Sequence, residues 1–157
     1  MVIRVLLLKV ICILLITGCT VTKYKELVLV SEPTTLTRSQ LDMYLIQQYC
    51  NKSVEYLVVV YLHNKKIIQI KELAKGNEEN VSVMQGTIYL DCLRVRCNTI
   101  IMAHNHPNRY FAHPSTIDKK TAIDLHAFLG RLKVHLLTSI ILTKHDTFWI
   151  GFDDELR

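Results

Sequence analysis

Two histidines one residue apart, in Ala103-His104-Asn105-His106-Pro107, are followed by a serine and an aspartate in Ser115-Thr116-Ile117-Asp118. On an extended backbone, side chains two positions apart share a face, so two imidazoles can turn toward one metal ion. A carboxylate on a following helix can supply a third ligand. His104, His106 and Asp118 are therefore the expected metal ligands. Three protein ligands plus an open position describe a catalytic zinc site, with one Zn2+ per chain, rather than a structural one. Hydrolysis at such a site also needs a base to take a proton from a metal-activated water. Glu55 is the candidate, because it is the only acidic residue at the start of the apolar run 54–62. Ser115 can donate a hydrogen bond to the oxyanion of a tetrahedral intermediate.

Each of these residues also fits a structural role. Ser115 with Asp118 matches the helix-start pattern in which serine caps the first turn. Capping and catalysis can coexist there, because a helix N-terminus favours a developing anion. Glu55 alone fits an exposed strand end, and either histidine alone fits a hydrogen-bonded structural residue. The pair with Pro107 and the downstream Ser115 and Asp118 tips the balance toward a metal site. The adjacent letters His104-Asn105-His106 do not make an HNH nuclease, whose residues are dispersed along the chain.

These residues must be positioned by a single domain, since the chain has 157 residues. A polar connector, 20–35, carries a short strand candidate at 27–30. A helix is expected over 38–49, with Thr37 as its cap and Leu41, Tyr44, Leu45 and Gln48 at helical spacing. The β-rich run 54–62 reads as a central strand, followed by a turn at 63–66 and a returning strand at 67–73. Met84, Ile88, Cys92 and Val95 form one stripe of a helix ending near Cys97. The buried strand 99–103 leads into the histidine segment. A helix over about 116–132 directs Ala122, Ile123, Ala127 and Phe128 inward, and 134–143 with 147–152 form a closing hairpin. The pattern is α-β-β-α-β-α-β-β, an α/β single-domain mixed β-sheet flanked by helices. The domain spans 36–152, with a C-terminal tail at 153–157.

Half of the residues are hydrophobic and only three are proline, which is globular composition. The formal charge is +5, but Arg4, Lys9, Lys23 and Lys25 all precede the first acidic residue, Glu26. The body is therefore close to neutral, and the absence of a dense basic stripe gives nucleic-acid binding little support. Cys12, Cys19, Cys50, Cys92 and Cys97 contain no C-x-x-C pair, so buried free thiols are expected rather than a zinc ribbon or disulfide framework. Residues 1–19 have a basic start, an apolar run at 10–16 and small residues before Cys19. This looks like a secretory leader with a bacterial lipoprotein processing site, in which Cys19 is lipidated and holds the protein at a membrane. The competing reading is a dispensable extension ahead of a cytoplasmic domain.

Glu55, His104-Asn105-His106-Pro107, Ser115 and Asp118 together resemble the JAMM pattern, E…H-x-H…S-x-x-D, of the JAB/MPN metalloprotease superfamily. The closer resemblance is to its RadC-like branch, which carries an A-H-N-H-P run after an apolar strand. That branch also has a strand of the type seen in Glu55-Tyr56-Leu57-Val58-Val59-Val60-Tyr61-Leu62. The similarity implies a cytidine-deaminase-like JAB/MPN fold and one zinc held by His104, His106 and Asp118. Glu55 would activate water and Ser115 would polarise the intermediate. It further implies cleavage of a peptide or isopeptide bond, with a peptide or protein substrate such as a ubiquitin-like C-terminal tail, in the cytoplasm. The alternative is a non-catalytic metal-containing binding module or a DNA-repair or recombination accessory protein.

The chain departs from the RadC pattern in three places. The loop after Pro107 runs Asn108-Arg109-Tyr110 instead of Ser-Gly-Asp, and it is longer, with His113 inside it as a solvated loop residue. Thr138-Ser139 replace a later Asp-His pair, which removes any outer support that pair gives to the ligands. The helical extension with a DNA-binding helix-hairpin-helix is also missing, which weakens the DNA reading.

Overall fold

The structure is a computed structural model that describes residues 29–152. In chain order the elements are β1 Leu29–Thr34, α1 Arg38–Tyr49, β2 Tyr56–His63, β3 Lys66–Lys75, α2 Gln85–Val95, β4 Thr99–Asn105, α3 Thr116–Arg131, β5 His135–Leu142 and β6 Thr147–Gly151. The expected order holds from α1 onward. The first strand lies later than expected, in the stretch read as polar connector. It pairs antiparallel with β3, and Pro33, which has no N–H to donate, is tolerated there because β1 is a sheet edge. The leader and its Cys19 lie outside the described residues. No helix among the described residues is long and apolar enough to cross a membrane.

The six strands form one sheet in the order β1-β3-β2-β4-β5-β6. Only β4 and β5 run parallel, joined by α3 as the crossover, so the sheet is mixed. The β2–β3 turn is a two-residue loop in which Asn64 and Lys65 both take positive φ, 50° and 65°, with His63 paired to Lys66. That geometry matches the twist of the flanking strands. On the other side of β2, the antiparallel register sets Leu57 opposite His104 and Leu62 opposite Thr99.

Alternation along β2 and β4 divides the core in two. Val58, Val60, Ile101 and Ala103 face α1, which contributes Leu41, Leu45 and Tyr49. Leu57, Val59, Tyr61, Ile100 and Met102 face α2 and α3, which contribute Ile88, Leu125 and Leu129. The sheet is thus covered on both faces, which explains why its central strands are nearly continuous apolar runs.

The helices begin largely as expected but differ in which side chains they bury. Thr37 caps α1 through a full capping box with Gln40, with bonds of 2.9 and 3.3 Å. Its inward stripe uses Tyr49 where Gln48 was expected, and Gln48 is exposed. Met84 precedes α2 and is exposed rather than part of its stripe. Arg96 adopts a left-handed conformation that ends α2, so Cys97 lies outside it. On α3, Ala122, Leu125 and Leu129 are buried, whereas Ile123 and Ala127 face outward. Phe128 is partly buried against the core. The buried stripe is Ala122, Leu125 and Leu129, at helical spacing. Cys50, Cys92 and Cys97 are free thiols, but only Cys92 is buried as expected, and Cys50 and Cys97 are half-buried.

One buried charge ties α2 to the sheet. Asp91 is almost fully enclosed, and its carboxylate accepts hydrogen bonds from the Tyr61 hydroxyl at 2.8 Å and from Lys71 Nζ at 2.7 Å. Burial, followed by the Asp91 contact, pushes the Tyr61 phenol upward in pKa, so it remains a donor. Removing the carboxylate would strand a buried hydroxyl and take a counter-charge from Lys71. Asp91→Ala is expected to cost about 3 kcal/mol in urea unfolding. A loss below about 1 kcal/mol would show that the network is not a stability determinant.

Candidate metal centre

β4 extends two residues beyond the expected strand and includes His104 and Asn105. His104 therefore shares the face of Ile100 and Met102, toward α3, and Asn105 turns to the opposite face. The antiparallel register continues past the last ladder pair, from Leu57 opposite His104. Two residues further on, it sets Glu55 opposite His106, and Glu55 Oε1 lies 3.7 Å from His106 Nε2. Glu55 itself stands just before β2 rather than within it.

The backbone around Glu55 is fixed from two sides. Asn105 Oδ1 accepts from the Tyr56 N–H at 2.7 Å, and its Nδ2 donates to the Val54 carbonyl at 3.0 Å. On the other side, the Glu55 N–H donates to the Asn77 carbonyl at 2.7 Å and the Gly76 N–H donates to the Glu55 carbonyl at 2.8 Å. Gly76 is required for the close return of the 76–80 loop, because a Cβ there would stand 1.9 Å from the Asn80 carbonyl oxygen.

α3 brings the third candidate ligand, Asp118, through its own cap. The Ser115 N–H donates to Asp118 Oδ2 at 2.7 Å, and Ser115 Oγ accepts from the Asp118 N–H at 3.1 Å. This reciprocal box engages one carboxylate oxygen and leaves Oδ1 facing His104 Nε2 at 3.1 Å. His104 Nε2 and His106 Nε2 are 3.0 Å apart, and His106 Nε2 is 3.7 Å from Asp118 Oδ2. One donor atom from each of His104, His106 and Asp118 falls within a span of 4.8 Å.

The donor set fits a divalent cation. Donors at the usual zinc distances around a tetrahedral ion lie about 3.3 Å from one another, and the two shortest separations here are 3.0 and 3.1 Å. Burial pushes the Glu55 carboxyl upward in pKa, against the opposing pull of His104. Burial, reinforced by His104, pushes the His106 imidazole down to about 4, so it is neutral and able to ligate near pH 7. For Asp118, burial pushes upward, but hydrogen bonds from His104 and Ser115 outweigh it and hold the carboxyl well below its usual range.

The five expected site residues thus meet in one cleft of about 420 Å³. His113 is exposed in the lengthened loop and lies beside Phe111 and Phe148, outside the ligand group. Thr138 gives its hydroxyl to the Ile150 carbonyl at 2.9 Å, and neither Thr138 nor Ser139 lines the cleft. His106 Nδ1 is buried without a hydrogen-bond partner among the described residues. Two features were missed at the level of sequence. Arg109 lines the cleft beside His106, and Asn105 acts as a clamp rather than a spacer. The even alternation 100, 102, 104 was the signal that Asn105 turns away from the metal and toward β2.

Asn105→Ala would leave the Tyr56 N–H and the Val54 carbonyl without these partners. A loss of about 1–3 kcal/mol in urea unfolding is expected. A variant as stable as the parent would show that the clamp does not hold the strand ends.

Residues 35–155 match the family described as RadC-like JAB domain. A UPF0758 protein of Shewanella baltica (strain OS155) is 29% identical over 100 residues, which are 63% of this chain and 44% of that protein. UPF0758 proteins of Shewanella denitrificans and Shewanella oneidensis are 29% and 28% identical over the same shares. The match covers less than half the length of these curated relatives. Because the family match runs unbroken from the cap of α1 past the end of β6 and includes every residue of the cleft's donor cluster, this chain belongs to the RadC-like JAB domain family.

Proposed function

We propose that the protein is a zinc-dependent hydrolase that cleaves a peptide or isopeptide bond. The observation that carries this reading is the meeting of three ligand atoms with a fourth, non-ligand carboxylate at 3.7 Å from His106 Nε2. A purely structural metal site has no use for such a carboxylate. When bound, zinc supplies Lewis-acid polarisation of a carbonyl and of water. The ligand set of two imidazoles and one carboxylate, leaving a position open, suits zinc.

The chain's own groups carry the proton and the charge. Glu55 is buried and its pKa is raised, which suits a carboxylate that takes a proton from water and returns it to the leaving amine. Ser115 Oγ accepts from the Asp118 N–H, so the hydroxyl proton can point outward to an oxyanion. The first turn of α3 adds the positive end of its dipole on the same side. The substrate is a peptide or protein, with a ubiquitin-like tail among the candidates.

The test is Glu55→Gln, loaded with zinc and incubated with a proteome-derived peptide mixture read by mass spectrometry. The variant should keep its zinc and cleave at least a hundredfold more slowly than the parent. Undiminished cleavage would remove Glu55 as the base. Zinc lost from a folded variant would make Glu55 a ligand instead.

A further inference from the structure

The cleft does not end at the metal donors. The same cavity continues between Leu57 and Met102 of the sheet, Ile88 of α2, Leu125 of α3, and Val81 and Val83 of the loop before α2. Four of these, Leu57, Ile88, Met102 and Leu125, belong to the core on that face of the sheet, and the two valines pack against it. Ile117, 76% exposed on the first turn of α3, gives the mouth an apolar lip.

Leu57, Ile88, Met102 and Leu125 are nearly enclosed and form the floor of the cleft, while Val81, Val83 and Ile117 present its accessible apolar surface. The volume, about 420 Å³, lies in the range of sites that take small molecules or side chains. Apolar surface beside a set of converging polar groups is also the composition of a ligand site. Here the donor cluster with Glu55 and Ser115 forms one end, and polar residues such as Asn80, Gln85 and Thr121 also line the cleft. A glycine would leave the apolar surface of Val81, Val83 and Ile117 in water. An apolar side chain removes both its own surface and that of the walls from water.

Resting on the hydrolase reading, we infer that this pocket receives a large apolar side chain of the substrate, of the leucine, methionine or phenylalanine class, next to the bond presented to His104, His106 and Asp118. The protein then selects peptides by an apolar residue at the cleavage site rather than accepting any extended tail.

Amino-acid hydroxamates test the pocket without requiring turnover. Their two oxygens chelate zinc whatever side chain they carry, so the ratio of affinities isolates the pocket. Binding of leucine, phenylalanine and glycine hydroxamates to the zinc-loaded full chain is measured by titration calorimetry. Leucine and phenylalanine hydroxamates should bind at least tenfold more tightly than glycine hydroxamate. Val83→Arg, at a half-buried loop position, should bring that ratio close to one in a variant whose circular dichroism shows it folded. Equal binding of all three to the parent would overturn the pocket inference and leave the metal reading standing. Binding of none of them would overturn the metal reading, and the inference with it.

Discussion

The site depends on the register between β2 and β4. With Leu57 opposite His104, alternation alone sends His104 toward α3 and brings Glu55 across from His106. A shift of one residue would reverse the facing of every side chain on one strand. Glu55 would then point to the wrong side of the sheet. Asn105 holds this alignment where the ladder itself ends, since its amide bonds to the residues on either side of Glu55. The central residue of the H-x-H segment therefore has a fixed task like its neighbours, but its partner is the backbone beside β2 rather than a metal.

The second constraint is electrostatic. Glu55, His104 and His106 are each about 5% exposed, and a cluster of this kind is costly to bury unless its charges are matched. The arrangement meets that cost in several ways. His106 is kept neutral by its surroundings, Asp118 is kept ionised by the bonds it accepts, and the α3 cap satisfies one carboxylate oxygen without consuming the other. The four residues that start α3 also carry the third candidate ligand, so the capping and metal readings of Ser115 and Asp118 are one structure. That economy explains how a short S-x-x-D spacing fixes both the orientation of a carboxylate and the start of α3.

Much of this was legible in the sequence because it rests on local periodicity. The spacing of His104 and His106, the cap at Ser115 and the cap at Thr37 each follow from neighbouring residues. Features that depend on distant packing were not legible. The outward turn of Ile123 and Ala127 reflects how α3 lies on the sheet, which an apolar count cannot reveal. The backbone hydrogen bonds that tie Glu55 to Gly76 and Asn77 involve residues that sequence places in a bland polar loop. The apolar recess is also assembled from four separate elements and a loop, and no one segment announces it.

The most direct measurement is the zinc content of the purified full chain, offered zinc at neutral pH, beside the His104→Ala/His106→Ala double variant. Elemental analysis should find about one zinc per parent chain and none in a double variant whose circular dichroism shows it folded. A parent that takes up no zinc, or a folded double variant that retains the full amount, would contradict the assignment of His104, His106 and Asp118 as a metal centre.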